Sequence, residues 1–351
     1  MKRQVVLLFT LLFFLVSAQE ALSQINRRQI RRNNKRIANY TGRNFNFGKE
    51  KRYNQVGISL NAVNYYGDLS PRPSIFSSDI SFTRPGIAVS FAHRFGPRYT
   101  LQAQFMYATL RGSDNDSADP TDVGNGIFRY QRNLSFRNQI KELSVVAVFD
   151  LFENQATYIS RVKWTPYAFV GGAVFLSSPE AQAPATDLQG NPLAEAGEWV
   201  KLRDLGTEGQ QSTLDVDDVN YGIKPYPLVQ AAIPFGIGAR LRLNEVIDFS
   251  ADIGFRYTFT DYLDDVSQNY VDLDKLNSPL AQAMSYRTNE LTGYPTNPIP
   301  STLSGVSVQN GYGSEYVDNW RGSKADRDIY MVTSLRVTYI LGATFHKAKF
   351  R

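Results

Sequence analysis

The strongest constraint on the fold is an alternating stretch near the middle of the chain, at the start of residues 246–270. Every second position on one face is apolar: Ile247, Phe249, Ala251, Ile253, Phe255 and Tyr257. The other face carries Asp248, Asp252 and Arg256 among small residues. A period of two over about a dozen residues indicates a strand, and this one is long enough to cross a bilayer at a tilt. One apolar and one charged face predict a barrel wall in lipid.

Seven further alternating stretches predict the rest of the wall. They cover about 55–65, 86–95, 99–110, 138–151, 164–176, 232–243 and 328–341. Because side chains alternate with a period of two, two connections must be three-residue turns, with Phe95 opposite Tyr99 and Leu243 opposite Ile247. In the stretch 164–176 we expect the following residues to face lipid: Tyr167, Phe169, Ala173 and Phe175.

The connections between these strands alternate in length. Long polar segments lie at 111–133, 177–231 and 261–327, and another of about 20 residues follows the first strand. The connections between them are shorter. Outer-membrane barrels combine an even strand number with long outer loops and short periplasmic turns. The sequence therefore predicts an all-β fold over 54–351, an eight-stranded antiparallel transmembrane β-barrel with long extracellular loops. Both termini are then expected in the periplasm.

The first residues have the pattern of an export signal and a basic arm. Lys2 and Arg3 precede the apolar run 5–16, which predicts a signal peptide over 1–18. Residues 19–53 carry a net charge of +8, against a net charge of −5 for the remainder of the chain after residue 53. We interpret this segment as a periplasmic arm, which is either a solvated linker or a docking arm for an acidic protein or anionic head groups; nucleic acid is not expected as a partner after export. Its candidate docking residues are Arg27, Arg28, Arg31, Arg32, Lys35 and Arg36.

The inward positions of the predicted strands carry charges of both signs. An eight-stranded interior is just filled by side chains, so we expect a paired plug and no conducting pore. The candidate plug residues are Glu142, Arg240, Arg242, Asp248, Asp252, Arg256 and Arg336. The register places Arg242 opposite Asp248, with Arg240 diagonal to Asp248 and Asp252, which are pairings that stabilise a sheet.

No residue set predicts catalysis, a cofactor or a metal site. The two histidines are His93, expected to face lipid, and His346 in the tail, whereas a Ser–His hydrolase needs an inward histidine beside its nucleophile. The acidic runs 114–122 and 261–265 have oxygen ligands suited to Ca²⁺. A solvated loop in the first run and an Asx-type turn in the second are the favoured interpretations.

Several motifs together resemble a known family. NYYGDL (64–69), TPYAFVGGAVF (165–175), EWVKLRDLGTEGQ (198–210), IPFGIGARL (233–241) and RYTFTDYLDDVSQNY (256–270) occur in this order. They resemble the PorG-like outer-membrane barrels of Bacteroidetes, a family also described as a domain of unknown function. The most distinctive motif residues are Thr207, Glu208, Gly209, Gln210, Asp261, Tyr262, Asp264 and Asp265.

The resemblance implies a structural role and no catalysis. Members are implicated in type IX secretion and gliding, where the barrel ties a periplasmic ring of PorK- and PorN-like proteins to outer-membrane lipid. The sequence therefore favours an outer-membrane scaffold of a secretion machine. The alternatives are an OmpA- or OmpW-like barrel for envelope integrity or small hydrophobic transport, and an outer-membrane lipid-modifying enzyme.

Overall fold

A computed structural model describes residues 47, 51–70, 82–124, 126–291, 299–300, 303, 306–308 and 319–341. Eight strands form the wall. They are β1 (Tyr53–Tyr66), β2 (Arg84–Arg94), β3 (Tyr99–Ser113), β4 (Ser135–Asp150), β5 (Trp164–Leu176), β8 (Val229–Arg242), β9 (Ile247–Thr258) and β12 (Ile329–Leu341). The predicted signal peptide and most of the predicted arm lie outside the described residues.

The wall closes on itself through antiparallel neighbours only. β1 pairs with β2 on one side and with β12 on the other, so the first and last strands complete the circuit. The backbone N–H of Phe95 donates to the carbonyl of Tyr99 at 3.2 Å, and Leu243 donates to Ile247 at 3.0 Å. Both predicted turns and the predicted eight-stranded barrel are therefore confirmed.

The outer face of the wall is an exposed apolar belt. Its most exposed members include Leu60 at 69%, Ile58 at 68% and Ile237 at 69%. Aromatic rings border the belt near the short-turn end, where Phe95 stacks on Tyr99 with centroids 6.0 Å apart. Exposed apolar surfaces of monomeric soluble proteins rarely exceed a few hundred Å². A continuous belt around the whole barrel matches the lipid-facing surface of a membrane barrel.

The predicted facing of β5 is wrong. Tyr167 and Phe175 are 3% and 2% exposed and point into the barrel, while Val170 and Val174 are exposed on the outside. Two rings of β5 are accommodated by glycines on the neighbouring strands: Gly236 and Gly254 adjoin the ring of Phe169, and Gly238 adjoins the ring of Tyr167. Both faces of β5 are apolar, so alternation alone carried no information about which face was inner.

The long connections add structure at one end of the barrel, here called the loop end. β4 extends past the wall to pair with β6 (Pro179–Gln182), which pairs with β7 (Trp199–Lys201). The other short elements at this end are α1 (Asp114–Ser117), α2 (Gly126–Arg132), α3 (Leu202–Leu205), α4 (Pro279–Ser285), β10 (Ile299–Pro300), β11 (Ser307–Val308) and 3₁₀ turns at Leu273–Lys275 and Thr288–Glu290. A third 3₁₀ turn, Tyr158–Ser160, lies in the connection between β4 and β5 at the opposite end. None of the described helices is long and apolar enough to span a membrane.

Candidate functional site

The seven candidate plug residues all belong to wall strands and point inward or line the inner mouth. Nearer the loop end, Glu142 accepts a hydrogen bond from the Tyr330 hydroxyl at 2.6 Å and lies 3.4 Å from Arg256. In the middle of the barrel, Asp252 accepts a hydrogen bond from the Tyr167 hydroxyl at 2.8 Å and lies 3.5 Å from Arg336. Arg336 also donates to the side chains of Gln102 and Gln104. These contacts fill the interior with paired polar groups.

The predicted charge partners of Arg240 and Arg242 are wrong, although the register is right. Arg242 lies opposite Asp248, yet the carboxylate of Asp248 pairs with Arg161 at 2.6 Å. Arg240 lies 3.3 Å from Asp150, which also pairs with Arg94 at 2.6 Å. Arg161 lies in the connection before β5 and reaches into the barrel mouth, so it takes the partner that strand pairing assigned to Arg242.

The two distinctive motifs meet at the loop end in a buried polar cluster, which we call the loop cluster. Glu208 is fully buried, and its Oε1 accepts backbone N–H bonds from Ser267 at 2.9 Å and Gln268 at 3.1 Å. The Thr207 hydroxyl donates to Asp265 at 2.5 Å. Arg321, also buried, lies 3.1 Å from Glu208 and 3.7 Å from Asp265. One guanidinium therefore joins the connection after β5 to the connection after β9.

The remaining motif residues shape this junction. Gly209 has a φ of 92°, a left-handed conformation that glycine adopts without strain. The side-chain oxygen of Gln210 accepts the N–H of Glu208 at 2.9 Å. Tyr262 stacks on Tyr226 with ring centroids 4.6 Å apart, and the Tyr226 hydroxyl donates to Asp265 at 2.7 Å. The motif residues thus act as one packed unit.

Two carboxyl groups of the loop cluster share one tyrosine. The hydroxyl oxygen of Tyr65 lies 2.6 Å from Asp264 and 2.7 Å from Asp328. A tyrosine hydroxyl has one hydrogen to donate, so one of the two carboxyls must carry a proton of its own. Consistent with this, burial raises the pKa of both Asp264 and Asp328 well above the usual range, and the neighbouring carboxyls raise them further.

We expect the stability of the loop cluster to depend on pH through Asp261, which lies beside this pair. Burial raises its pKa from 3.8 to about 9. The folded form holds the proton more tightly than the unfolded form, so the stabilisation is complete below about pH 4 and is lost as the pH rises towards about 9. We expect protease resistance of the loops to fall between pH 5 and pH 9, and Asp261→Asn to reduce that fall.

The control for this prediction is Asp217→Asn, since Asp217 is an exposed carboxylate in the same loop region. It should leave the pH profile of loop proteolysis unchanged. A profile that is the same in Asp261→Asn and in the parent would assign the pH dependence to other groups.

The acidic run 114–122 is not simply solvated. Asp114 is fully buried and pairs with Arg132 at 2.7 Å, and α1 begins after Ser113, whose side chain accepts the N–H of Asp116. In the run 261–265, Asp264 accepts the N–H of Val266 at 3.0 Å, which is an Asx-type turn. No three His, Cys, Asp or Glu side chains in the described part of the chain are grouped to hold a metal ion.

Several site residues were missed from the sequence. Arg94 and Asp150 occupy inward positions on β2 and β4, so strand alternation was a usable signal for both. Tyr65 likewise occupies an inward position on β1. Arg161 and Arg321 carried no comparable signal, because their roles depend on loop conformation. The six candidate docking residues between Arg27 and Arg36 lie outside the described residues.

Comparison with known protein families finds one match, to part of the chain. Residues 45–182, which span β1 to β6, match a family described as a domain of unknown function, DUF6089. This match covers less than half of the chain. No curated protein matches the sequence.

Among solved structures, the chain is similar to three outer-membrane proteins at low identity. The attachment invasion locus protein Ail of Yersinia pestis has 6% identity and a TM-score of 0.30, over 82% of this chain and 97% of that chain. OprG of Pseudomonas aeruginosa has 9% identity and a TM-score of 0.36, over 84% of this chain and 98% of that chain. A major outer membrane protein of Thermus thermophilus has 13% identity and a TM-score of 0.35, over 82% of this chain and 99% of that chain. Such distant similarity carries no functional argument, and the fold assignment rests on the strand pairing.

Proposed function

We propose that this protein is an outer-membrane barrel with a structural role, anchoring a periplasmic ring of the type IX secretion and gliding machinery. The observation that carries the proposal is a closed eight-stranded wall with an apolar outer belt and an interior filled by paired side chains. Such a wall fits a bilayer. An interior filled with paired charges favours anchoring over transport.

The partner is inferred from charge and connectivity. The chain enters β1 and leaves β12 at the short-turn end, so the basic segment 19–53 joins the barrel there. In an outer-membrane barrel that end faces the periplasm. Opposite charges on two partners raise the rate of encounter and fix register, and they weaken with salt. The family resemblance makes PorK- and PorN-like ring proteins the proposed partner.

The test neutralises the arm in the full-length protein. We expect replacing all six basic residues from Arg27 to Arg36 by Gln to leave the barrel inserted but to reduce co-purification of ring proteins and type IX secretion. The matched control neutralises exposed cations at the loop end: Lys201→Gln, Lys224→Gln, Lys324→Gln and Arg327→Gln. This control should secrete like the parent.

Two outcomes would contradict the proposal at different levels. Normal secretion and ring co-purification by the arm variant would reduce the arm to a linker. Normal secretion after deletion of the whole gene would exclude the scaffold role, leaving the envelope-integrity barrel as the function that the fold supports. A change in lipid A or phospholipid composition on overexpression would favour the lipid-modifying enzyme instead.

A further inference from the structure

The short-turn mouth of the barrel contains a recess in which arginines outnumber carboxylates. The recess is small, with enclosed space for about one water molecule, and it opens to solvent. Its charged lining residues are Arg94, Arg161, Arg240, Arg242, Asp150 and Asp248. Four guanidiniums and two carboxylates leave two positive charges in excess.

The ion pairs show where the excess charge lies. Asp150 is shared by Arg94 and Arg240, at 2.6 and 3.3 Å, and so neutralises only one of them. Asp248 pairs with Arg161 at 2.6 Å. Arg242 donates to the backbone carbonyl of Arg161 at 2.6 Å, and no carboxylate of the described residues lies within 4.0 Å of it.

The positions of the arginines make the excess charge available to a ligand. Arg94 and Arg161 are buried, whereas Arg240 and Arg242 are only partly buried and border the opening. A guanidinium removed from water without a counter-charge is costly. An oxyanion at the opening would offset that cost through charge-assisted hydrogen bonds, and carboxylates and phosphates both match the fork of an arginine.

We propose that this recess is a binding site for a carboxylate side chain on an acidic segment of a periplasmic protein. The recess is enclosed by the strands, so the wall separates it from lipid head groups around the barrel. Asp150 already bridges two arginines there, which shows that the set accommodates a carboxylate. The assignment of that segment to a ring protein rests on the proposed function. The existence of the binding site does not.

The test uses the full-length protein purified in detergent, with a short Glu-rich peptide and inorganic phosphate as probes. We expect the peptide to bind in a salt-sensitive manner, and Arg242→Gln to weaken it about tenfold or more, because one charge-assisted hydrogen bond is lost. The matched control is Lys163→Gln, which removes an exposed positive charge from the same end and should bind like the parent.

Three outcomes would overturn the inference. Equal peptide affinity in Arg242→Gln and in the parent would show that the recess is not the site. Binding of phosphate but not of the peptide would make it a small-anion site. A gain in peptide affinity on Glu50→Gln would show that the chain's own carboxylate occupies it. If the peptide binds as expected while deletion of the whole gene leaves secretion normal, the site stands and the proposed function fails.

Discussion

Replacing Ile253 by arginine is expected to prevent stable insertion of the barrel. Ile253 lies near the middle of β9 and is 49% exposed on the outer face. An arginine on the lipid face near the bilayer midplane costs about 2–4 kcal/mol. The change should reduce the folded fraction in outer-membrane preparations, measured by resistance to SDS on unheated gels.

The control is the adjacent inward residue, Asp252→Asn. This change keeps a hydrogen-bond acceptor for the Tyr167 hydroxyl and removes one charge near Arg336. Its cost should be lower than that of Ile253→Arg, because Arg336 still donates to Gln102 and Gln104 and no charge is placed in lipid. Normal insertion of Ile253→Arg together with failure of Asp252→Asn would reverse the assignment of the two faces.

Replacing Arg321 by alanine is expected to open the loop end without unfolding the wall. Arg321 is 1% exposed, and its guanidinium is the cation shared by Glu208 and Asp265. Removing one member of a buried ion pair typically costs about 3–5 kcal/mol, because the remaining charge is buried without compensation. The free energy of opening a loop depends on the contacts of that loop and not on the stability of the whole barrel. Protease applied at the loop end should therefore cleave the variant rapidly while SDS resistance of the wall persists.

Arg327→Ala is the matched control for this prediction. Arg327 is an exposed arginine six positions further along the same connection. Since surface charges contribute little to stability, its loss should leave loop proteolysis unchanged. Equal cleavage of the two variants would mean that the loop cluster does not depend on its buried guanidinium.

The wall was predictable because its signals are local and periodic. Strands such as β9 place polar and apolar residues on opposite faces, so the sequence specifies both the strand and its orientation. The alternation of side chains on β8 and β9 then fixes a three-residue turn between them, with Leu243 opposite Ile247. The prediction was wrong for β5, where aromatic residues occupy the inner face. Glycines on β8 and β9 create that space, and only the three-dimensional arrangement relates them to Phe169.

The candidate sites were less predictable because they join distant parts of the chain. The motif resemblance singled out Glu208 and Asp265, but their common partner Arg321 lies more than fifty residues beyond Asp265. Likewise, Arg161 displaces Arg242 as the partner of Asp248 because a connection folds back into the mouth. Strand periodicity gives no information about such contacts.

The most direct test of the account is the sidedness of the two barrel ends in intact cells. Single cysteines are introduced at Val123 and Val216, which are 82% and 75% exposed at the loop end, and at Glu245 in the turn between β8 and β9. The native chain contains no cysteine, so a membrane-impermeant thiol reagent reports each site alone. The account predicts labelling at positions 123 and 216, with position 245 labelled only after the outer membrane is permeabilised. Labelling at position 245 in intact cells, with protection at positions 123 and 216, would contradict it.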